Sequence, residues 1–208
     1  MIELVLVIVV LGLLAALAMP RLKGDRRQEA ADNILSAIRY TQHLALTDDK
    51  TDPFDSQWQR KMWRIRFQNS SSTNEAISYV IYSDENKNGN PSISEAAIDP
   101  SNGKYFYNQN ANSVVDSQES PNVFIGKKYG IKPNGVILSG GCSGFTHIAF
   151  DSFGRPYSGI DSANDKYSKY MTADCKITFK FIDSDISDLV IVIQKETGYA
   201  YIVGEPNS

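Results

Sequence analysis

The stretch that decides the fold is Ile2-Glu3-Leu4-Val5-Leu6-Val7-Ile8-Val9-Val10-Leu11-Gly12-Leu13-Leu14-Ala15-Ala16-Leu17-Ala18-Met19-Pro20. From Leu4 to Met19, sixteen residues carry neither a charge nor a hydrogen-bonding side chain. As an α-helix this run spans about 24 Å, somewhat less than a hydrocarbon core of ~30 Å. Glu3 would cost ~2.5–3.5 kcal/mol inside an apolar layer, so its carboxylate needs a partner or a function there.

Three interpretations of this N-terminus compete. A cleaved secretory signal would end at Ala16-Leu17-Ala18, but the residues before the apolar run include an acid and no Lys or Arg. An ordinary transmembrane anchor would keep the basic residues of 21–27 in the cytoplasm, and the rest of the chain would then lie in a reducing compartment. In the third interpretation, a basic leader once preceded Met1.

The composition is that of a folded globular protein. The 208 residues are 42% apolar and 22% charged, which excludes a disordered or collagen-like chain. With 21 Lys and Arg against 24 Asp and Glu, the net charge is −3, so we expect no general nucleic-acid partner.

After Pro20 the pattern changes from uniformly apolar to amphipathic. Apolar residues recur at helical spacing: Ala31, Ile34, Leu35, Ile38, Ala45 and Leu46. Pro20 removes one backbone hydrogen bond and is expected to kink the helix where the apolar run ends. We therefore expect one long helix to about residue 47, its first half in a membrane and its second half packed on a head domain.

Beyond residue 53 the pattern favours strands. The strand-like runs are Met62–Phe67, Ile77–Ser83, Val123–Ile125, Val136–Leu138, His147–Phe150, Lys176–Ile182, Leu189–Gln194 and Tyr199–Val203. One helix followed by strands predicts an α+β fold, in which an antiparallel β-sheet head packs on the helix. The predicted units are 1–20 (a transmembrane helix), 21–50 (its amphipathic continuation) and 51–208 (the β-rich head).

The N-terminal run from Ile2 to Ala16, followed by Pro20, resembles the start of type IV pilins and type II secretion pseudopilins. Short motifs in the head are similar to minor pseudopilins of the GspH/FimT type: Tyr82-Ser83-Asp84 with Asn86, Asn88-Gly89 and Glu95, then Ile148-Ala149-Phe150-Asp151 with Gly154-Arg155, then Thr197-Gly198-Tyr199. This sequence departs from the family pattern because it lacks the basic leader, the cleavage glycine and the first residues of the mature helix.

The resemblance implies a structural protein without enzymatic activity or a cofactor. Such a subunit is assembled into a periplasmic filament whose core would be formed by the helix of residues 1–20. Before assembly, the single-pass helix lies in the bacterial inner membrane and the head in the periplasm. Glu3 would pair with the N-terminal amine of a neighbouring subunit, which would compensate its desolvation. The implied partners are other pilin-like subunits, the inner-membrane assembly machinery, and a prepilin peptidase that acts on the missing leader. The resemblance also implies methylation of the new N-terminal residue. The alternatives are a competence pseudopilin for DNA uptake, or a calcium- or DNA-binding module on the same anchor.

Cys142 and Cys175 are the only cysteines, and both lie in the predicted head. An even count in an exported domain predicts a disulfide, worth roughly 3–4 kcal/mol by the chain-entropy model. The alternative is two unrelated buried thiols.

The segment from Asp84 to Glu95 matches a calcium-loop pattern, with candidate ligands Asp84, Asn86, Asn88, Asn90 and Glu95. A strand rather than a helix is expected before it, Pro91 is unusual inside such a loop, and only two of the ligands are charged. We therefore expect a turn in which Asn and Asp side chains bond their own backbone, with at most weak calcium binding.

Two other segments carry potential chemistry. Gly141-Cys142-Ser143-Gly144 with His147 lacks the G-x-S-x-G spacing of a nucleophile elbow, so we expect no catalysis there. The alternation in Trp63-Arg64-Ile65-Arg66-Phe67 predicts a half-buried strand with a solvated basic face. Single-stranded nucleic-acid binding on that face is the less favoured alternative.

Overall fold

A computed structural model describes residues 2–69, 77–109, 113–162 and 169–205, and within the N-terminal helix it describes the side chains of residues 3–12 and from 26 onward. Helix α1 comprises Ile2–Thr47 without interruption. It ends where predicted, and the Thr47 hydroxyl donates a hydrogen bond to the His43 carbonyl in its last turn at 3.0 Å. The side chain of Pro20 lies outside the described set, and the kink predicted there stays a prediction.

Within the described ranges, eight strands follow the helix, together with a short second helix. The strands are β1 (Arg64–Asn69), β2 (Ile77–Tyr82), β3 (Ile131–Gly140), β4 (His147–Phe150), β5 (Pro156–Tyr157), β6 (Cys175–Phe181), β7 (Leu189–Ile193) and β8 (Ala200–Ile202). They form two four-stranded antiparallel sheets, ordered β2-β1-β4-β5 and β3-β6-β7-β8. The class is α+β, but the prediction of one sheet is wrong.

The two sheets differ in how their residues are buried. Every residue of β2 and of β4 is buried, so their sheet is covered on both faces. In β6 and β7 buried residues alternate with exposed or half-buried ones, so the second sheet packs only one face on the core. A single sheet with one solvated face does not accommodate both patterns.

The predicted strand Val123–Ile125 is wrong, because this segment is helical. Pro121–Val123 forms a 3₁₀ turn whose start is capped by the Ser120 side chain. Helix α2 (Ile125–Tyr129) follows, and Gly130 ends it with a φ of 74°. Apolar residues alone do not distinguish a short buried strand from a short buried helix.

Two strands differ from the predicted pattern. Strand β3 is longer than the predicted Val136–Leu138, because a register shift between Ile131 and Val136 lets the strand continue through residues 132–135. Strand β5 was not predicted, since a proline begins it.

The amphipathic half of α1 packs on the head as predicted. Ala31, Ile34, Leu35, Ile38 and Ala45 are all buried in one core with residues of both sheets, whereas Leu46 is half-exposed.

The membrane half of the predicted fold is corrected. In the ranges that the structure describes, no helix is long and apolar enough to cross a membrane.

Candidate functional site

The first candidate site is an apolar arm, which we define as residues 3–12 of α1. All eight side chains from Leu4 to Leu11 are exposed, with exposed fractions between 46% and 66%. From Ala30 to Ala45 the same helix buries most of its apolar residues. Soluble monomers rarely expose a contiguous apolar surface of this kind, so the arm is a candidate contact surface.

Glu3 lies in the first turn of α1, at the end of the apolar arm. Its side chain is exposed, and the positive end of the helix dipole favours a carboxylate at this position. The pairing of Glu3 with a neighbouring subunit's amine stays a prediction.

A second feature joins α1 to the head, and we call it the helix–head lock: Gln42, Gly154, Thr197 and Gly198. The Gln42 Nε2 atom donates to the carbonyl of Gly154 at 2.8 Å and to that of Thr197 at 2.9 Å. Gly198 has a φ of 68°, and a Cβ there would lie 2.1 Å from the Gly154 carbonyl oxygen. Only glycine therefore allows the two loops to meet at this point.

Two arginines reinforce the same region. Asp151 accepts hydrogen bonds from the Arg155 backbone at 2.9 Å and from its Nε at 2.8 Å, which shapes the loop that holds Gly154. Arg39 of α1 donates to the Ala200 carbonyl at 2.9 Å and lies 5.8 Å from the centre of the Tyr199 ring.

Two of the three head motifs that carry the pseudopilin resemblance thus converge on α1, although more than forty residues separate them in the chain. Their role in this geometry is to hold the helix in one orientation on the head. Sequence reasoning missed Gln42, because a polar residue between the apolar positions of a helix is expected to be solvated. The glycines at 154 and 198, each part of a motif that carries the resemblance, were the available signal.

The third candidate is the calcium-like loop, whose side chains bond the loop's own backbone. Asp84 accepts from the amides of Asn88 at 3.1 Å and Gly89 at 2.8 Å. The Asn86 side chain accepts from Asn88 at 2.9 Å, and that of Asn88 accepts from the Asn90 amide at 2.7 Å. These are the self-bonded turns of the favoured interpretation.

Glu95 closes this loop through protein groups. Its Oε1 accepts from the Asn86 amide at 3.2 Å and its Oε2 from the Ser92 hydroxyl at 2.6 Å. Asp84 is fully buried and lies 3.6 Å from an Arg64 nitrogen. Over the described part of the chain, no group of three or more His, Cys, Asp or Glu residues is arranged to hold a metal ion. Calcium binding stays untested.

A buried charge cluster lies beside this loop and corrects the solvated basic face predicted for β1. Arg64 is fully buried and Arg66 is half-buried. Both donate to the Asp161 carboxylate, Arg66 at 2.7 Å, and both lie over the Tyr82 ring, 5.0 and 5.6 Å from its centre. Both guanidinium groups of β1 are therefore paired with carboxylates rather than solvated.

The same cluster shifts the pKa values of its members. Burial raises the pKa of Asp161, but the charges of Arg64, His147 and Arg66 outweigh it, so the pKa of that carboxyl is lowered. Burial lowers the pKa of His147 to about 4, against the attraction of Asp161. The neutral imidazole accepts a hydrogen bond from the Ile160 amide at 3.3 Å.

The predicted disulfide is confirmed. Cys142 and Cys175 are joined, with their Cα atoms 5.1 Å apart, and both residues are fully buried. The bond links the turn after β3 to the first residue of β6. With its sulfur in the disulfide, Cys142 is not a nucleophile, and a structural disulfide is typical of an oxidising compartment.

Comparison with protein-family models, with curated proteins and with solved structures finds no match to this chain.

Proposed function

We propose that this protein is a structural, minor pilin-like subunit that assembles through its N-terminal helix into a filament of a type II secretion or type IV pilus machine. The observation that carries the proposal is the apolar arm of α1. It exposes eight consecutive apolar side chains and continues without interruption into a helix half that is packed on a disulfide-linked head.

Packing of arms from several subunits explains this arrangement physically. Burial of apolar surface contributes about 25 cal/mol per Å², so helices that share a contact along residues 3–12 gain free energy from the surface they remove from water. The helix–head lock orients the head relative to that contact, so the head sets the position of each subunit.

The cellular location of the subunit is part of the same proposal. The resemblance supports assembly at the bacterial inner membrane, and the disulfide supports a head in the periplasm, where such bonds form and persist. The machine is identified by the process that fails when the gene is deleted: secretion, pilus formation or DNA uptake.

The test is Glu3→Ala with in-cell crosslinking to neighbouring subunits. We expect crosslinks to fall at least about ten-fold, because the variant removes a charge partner worth more than ~1.4 kcal/mol at low dielectric and keeps the apolar surface. The matched control is Glu29→Ala, an exposed glutamate of the same helix. Crosslinking of Glu3→Ala at the wild-type level contradicts the role of Glu3, and a chain that never crosslinks to another subunit contradicts the proposed function.

A further inference from the structure

A cavity of about 510 Å³ lies between the amphipathic half of α1 and the loop after β2. Helix α1 supplies Asp32, Asn33, Ser36 and Tyr40 to its lining, and the head supplies a polar and aromatic wall. This volume falls in the range of ligand pockets, about 300–1,000 Å³. No function described above uses it.

The aromatic wall is preorganised. The rings of Tyr40 and Phe106 lie 5.7 Å apart, and the ring of Tyr79 lies 6.1 Å from that of Phe106. The Tyr79 hydroxyl donates to Asn33 at 3.3 Å, and the Tyr40 hydroxyl donates to the Ile98 carbonyl at 3.0 Å. The hydroxyls are held at the edges, so the faces of these rings stay apolar and rich in electrons.

Asp99 places a fixed negative charge under this wall. Its carboxylate accepts from the Ser101 amide at 2.8 Å, from Asn102 at 3.0 Å and from Asn122 at 2.9 Å. Burial raises the pKa of Asp99, but the hydrogen bonds from Ser120, Ser101 and Asn122 outweigh it and lower that pKa. The buried carboxylate therefore stays ionised.

The charge of Asp99 reaches the cavity wall. Burial is the main cause of the raised pKa of Tyr40 and of Tyr79, and the negative charge of Asp99 is the second cause in both. Asp32 adds a second, exposed carboxylate at the mouth, and the lining within the described residues contains no Lys or Arg. Lys128 is held by Asn122 at 2.8 Å and is not part of that lining.

We propose that this cavity binds an organic cation with an aliphatic stem, of the chemistry that an arginine or lysine side chain presents. The partly exposed ring of Tyr40 attracts a cation and covers its stem. The negative charges of Asp99 and Asp32 favour a cation over a neutral ligand of the same shape. The inference goes beyond the proposed function and does not depend on it.

The test uses the full chain in detergent micelles and two probes of matched shape, butylguanidinium and butylurea. Binding is measured by calorimetry and by NMR shifts of the Ser36, Ser101 and Asn122 amides. We expect butylguanidinium to bind at least about five-fold more tightly than butylurea, with a preference that shrinks at high salt. Equal affinities, or no binding of either probe at about 50 mM, overturn the proposal.

Asp32→Asn is the variant, because this exposed position tolerates the change without loss of the core. It should weaken butylguanidinium about three-fold and leave butylurea unchanged. Glu196→Gln is the matched control, an exposed carboxylate outside the lining, and should change neither affinity. An equal loss for both probes in Asp32→Asn would show a packing role and would contradict the proposal.

The source of the cation is decided by sedimentation of the full chain with saturating butylguanidinium. A fall in the mass of the oligomer assigns the cation to a side chain of a second copy. An unchanged mass assigns it to a free ligand.

Discussion

Replacement of Gln42 by alanine removes the side chain that joins α1 to two loops of the head. In the native structure its Nε2 atom donates to the Gly154 and Thr197 carbonyls, at 2.8 and 2.9 Å. We expect the variant to fold with the same sheets but with a lower free energy of unfolding.

The size of the loss follows from the burial of the two acceptors. Thr197 is exposed, so water replaces its lost donor and the cost is about 0.5 kcal/mol. Gly154 is buried, so its carbonyl loses a partner that water does not readily replace, which costs about 1–3 kcal/mol. The expected total is about 1.5–3.5 kcal/mol, which lowers Tm by roughly 3–14 °C in a chain of this length.

The assay is thermal and urea unfolding of the full chain in detergent, followed by near-ultraviolet circular dichroism. Gln118→Ala is the matched control, because this exposed glutamine lies outside the lock, and its change should stay within about 0.5 kcal/mol. A loss below about 0.5 kcal/mol for Gln42→Ala, or an equal loss for the control, would refute the role of the lock.

Gln42→Glu gives an independent check through pH. The new carboxylate faces two carbonyl oxygens, which raises its pKa in the folded state above the unfolded value of about 4.3. A carboxyl whose pKa is higher in the folded state costs no stability below its unfolded-state pKa. It destabilises the fold as the pH rises from the unfolded-state pKa through the folded-state pKa. The variant should therefore lose stability from about pH 4 upward relative to wild type, and a parallel pH profile would contradict this geometry.

Three further predictions concern other parts of the head. The double variant Cys142→Ala with Cys175→Ala opens a loop of 33 residues and should lose about 3–4 kcal/mol in urea unfolding, whereas a loss under about 1 kcal/mol would contradict the chain-entropy estimate. The pKa of His147 is about 4 in the folded state and about 6.5 in the unfolded state, so the free energy of unfolding should fall as the pH drops from 6.5 to 4. The variant His147→Gln should flatten that fall, and an unchanged slope would exclude His147 as its cause. Calcium at about 1 mM should stabilise by no more than ~0.4 kcal/mol if the Asp84 loop binds it with millimolar affinity, so a large rise in Tm that Asp84→Ala abolishes would contradict the weak-binding interpretation.

Local patterns in the sequence predicted several features correctly. The period of 3.6 residues indicated which side of α1 faces the core, because a helix must bury its apolar stripe. Alternation indicated strands such as β6 and β7, whose buried residues recur at every second position. The count of two cysteines in a β-rich head indicated the disulfide. Each of these signals is contained within a few residues, or in the number of one residue type.

The tertiary structure alone decided the division into two sheets, the burial of Arg64, the helix–head lock and the cavity beside Asp99. The lock joins Gln42 to carbonyl oxygens more than a hundred residues away, and a backbone acceptor leaves no trace in the identity of its residue. The burial of Arg64 depends on Asp161, which local alternation in β1 does not reveal. These features depend on which distant segments come to lie together, and that choice is made by the packing of the whole core.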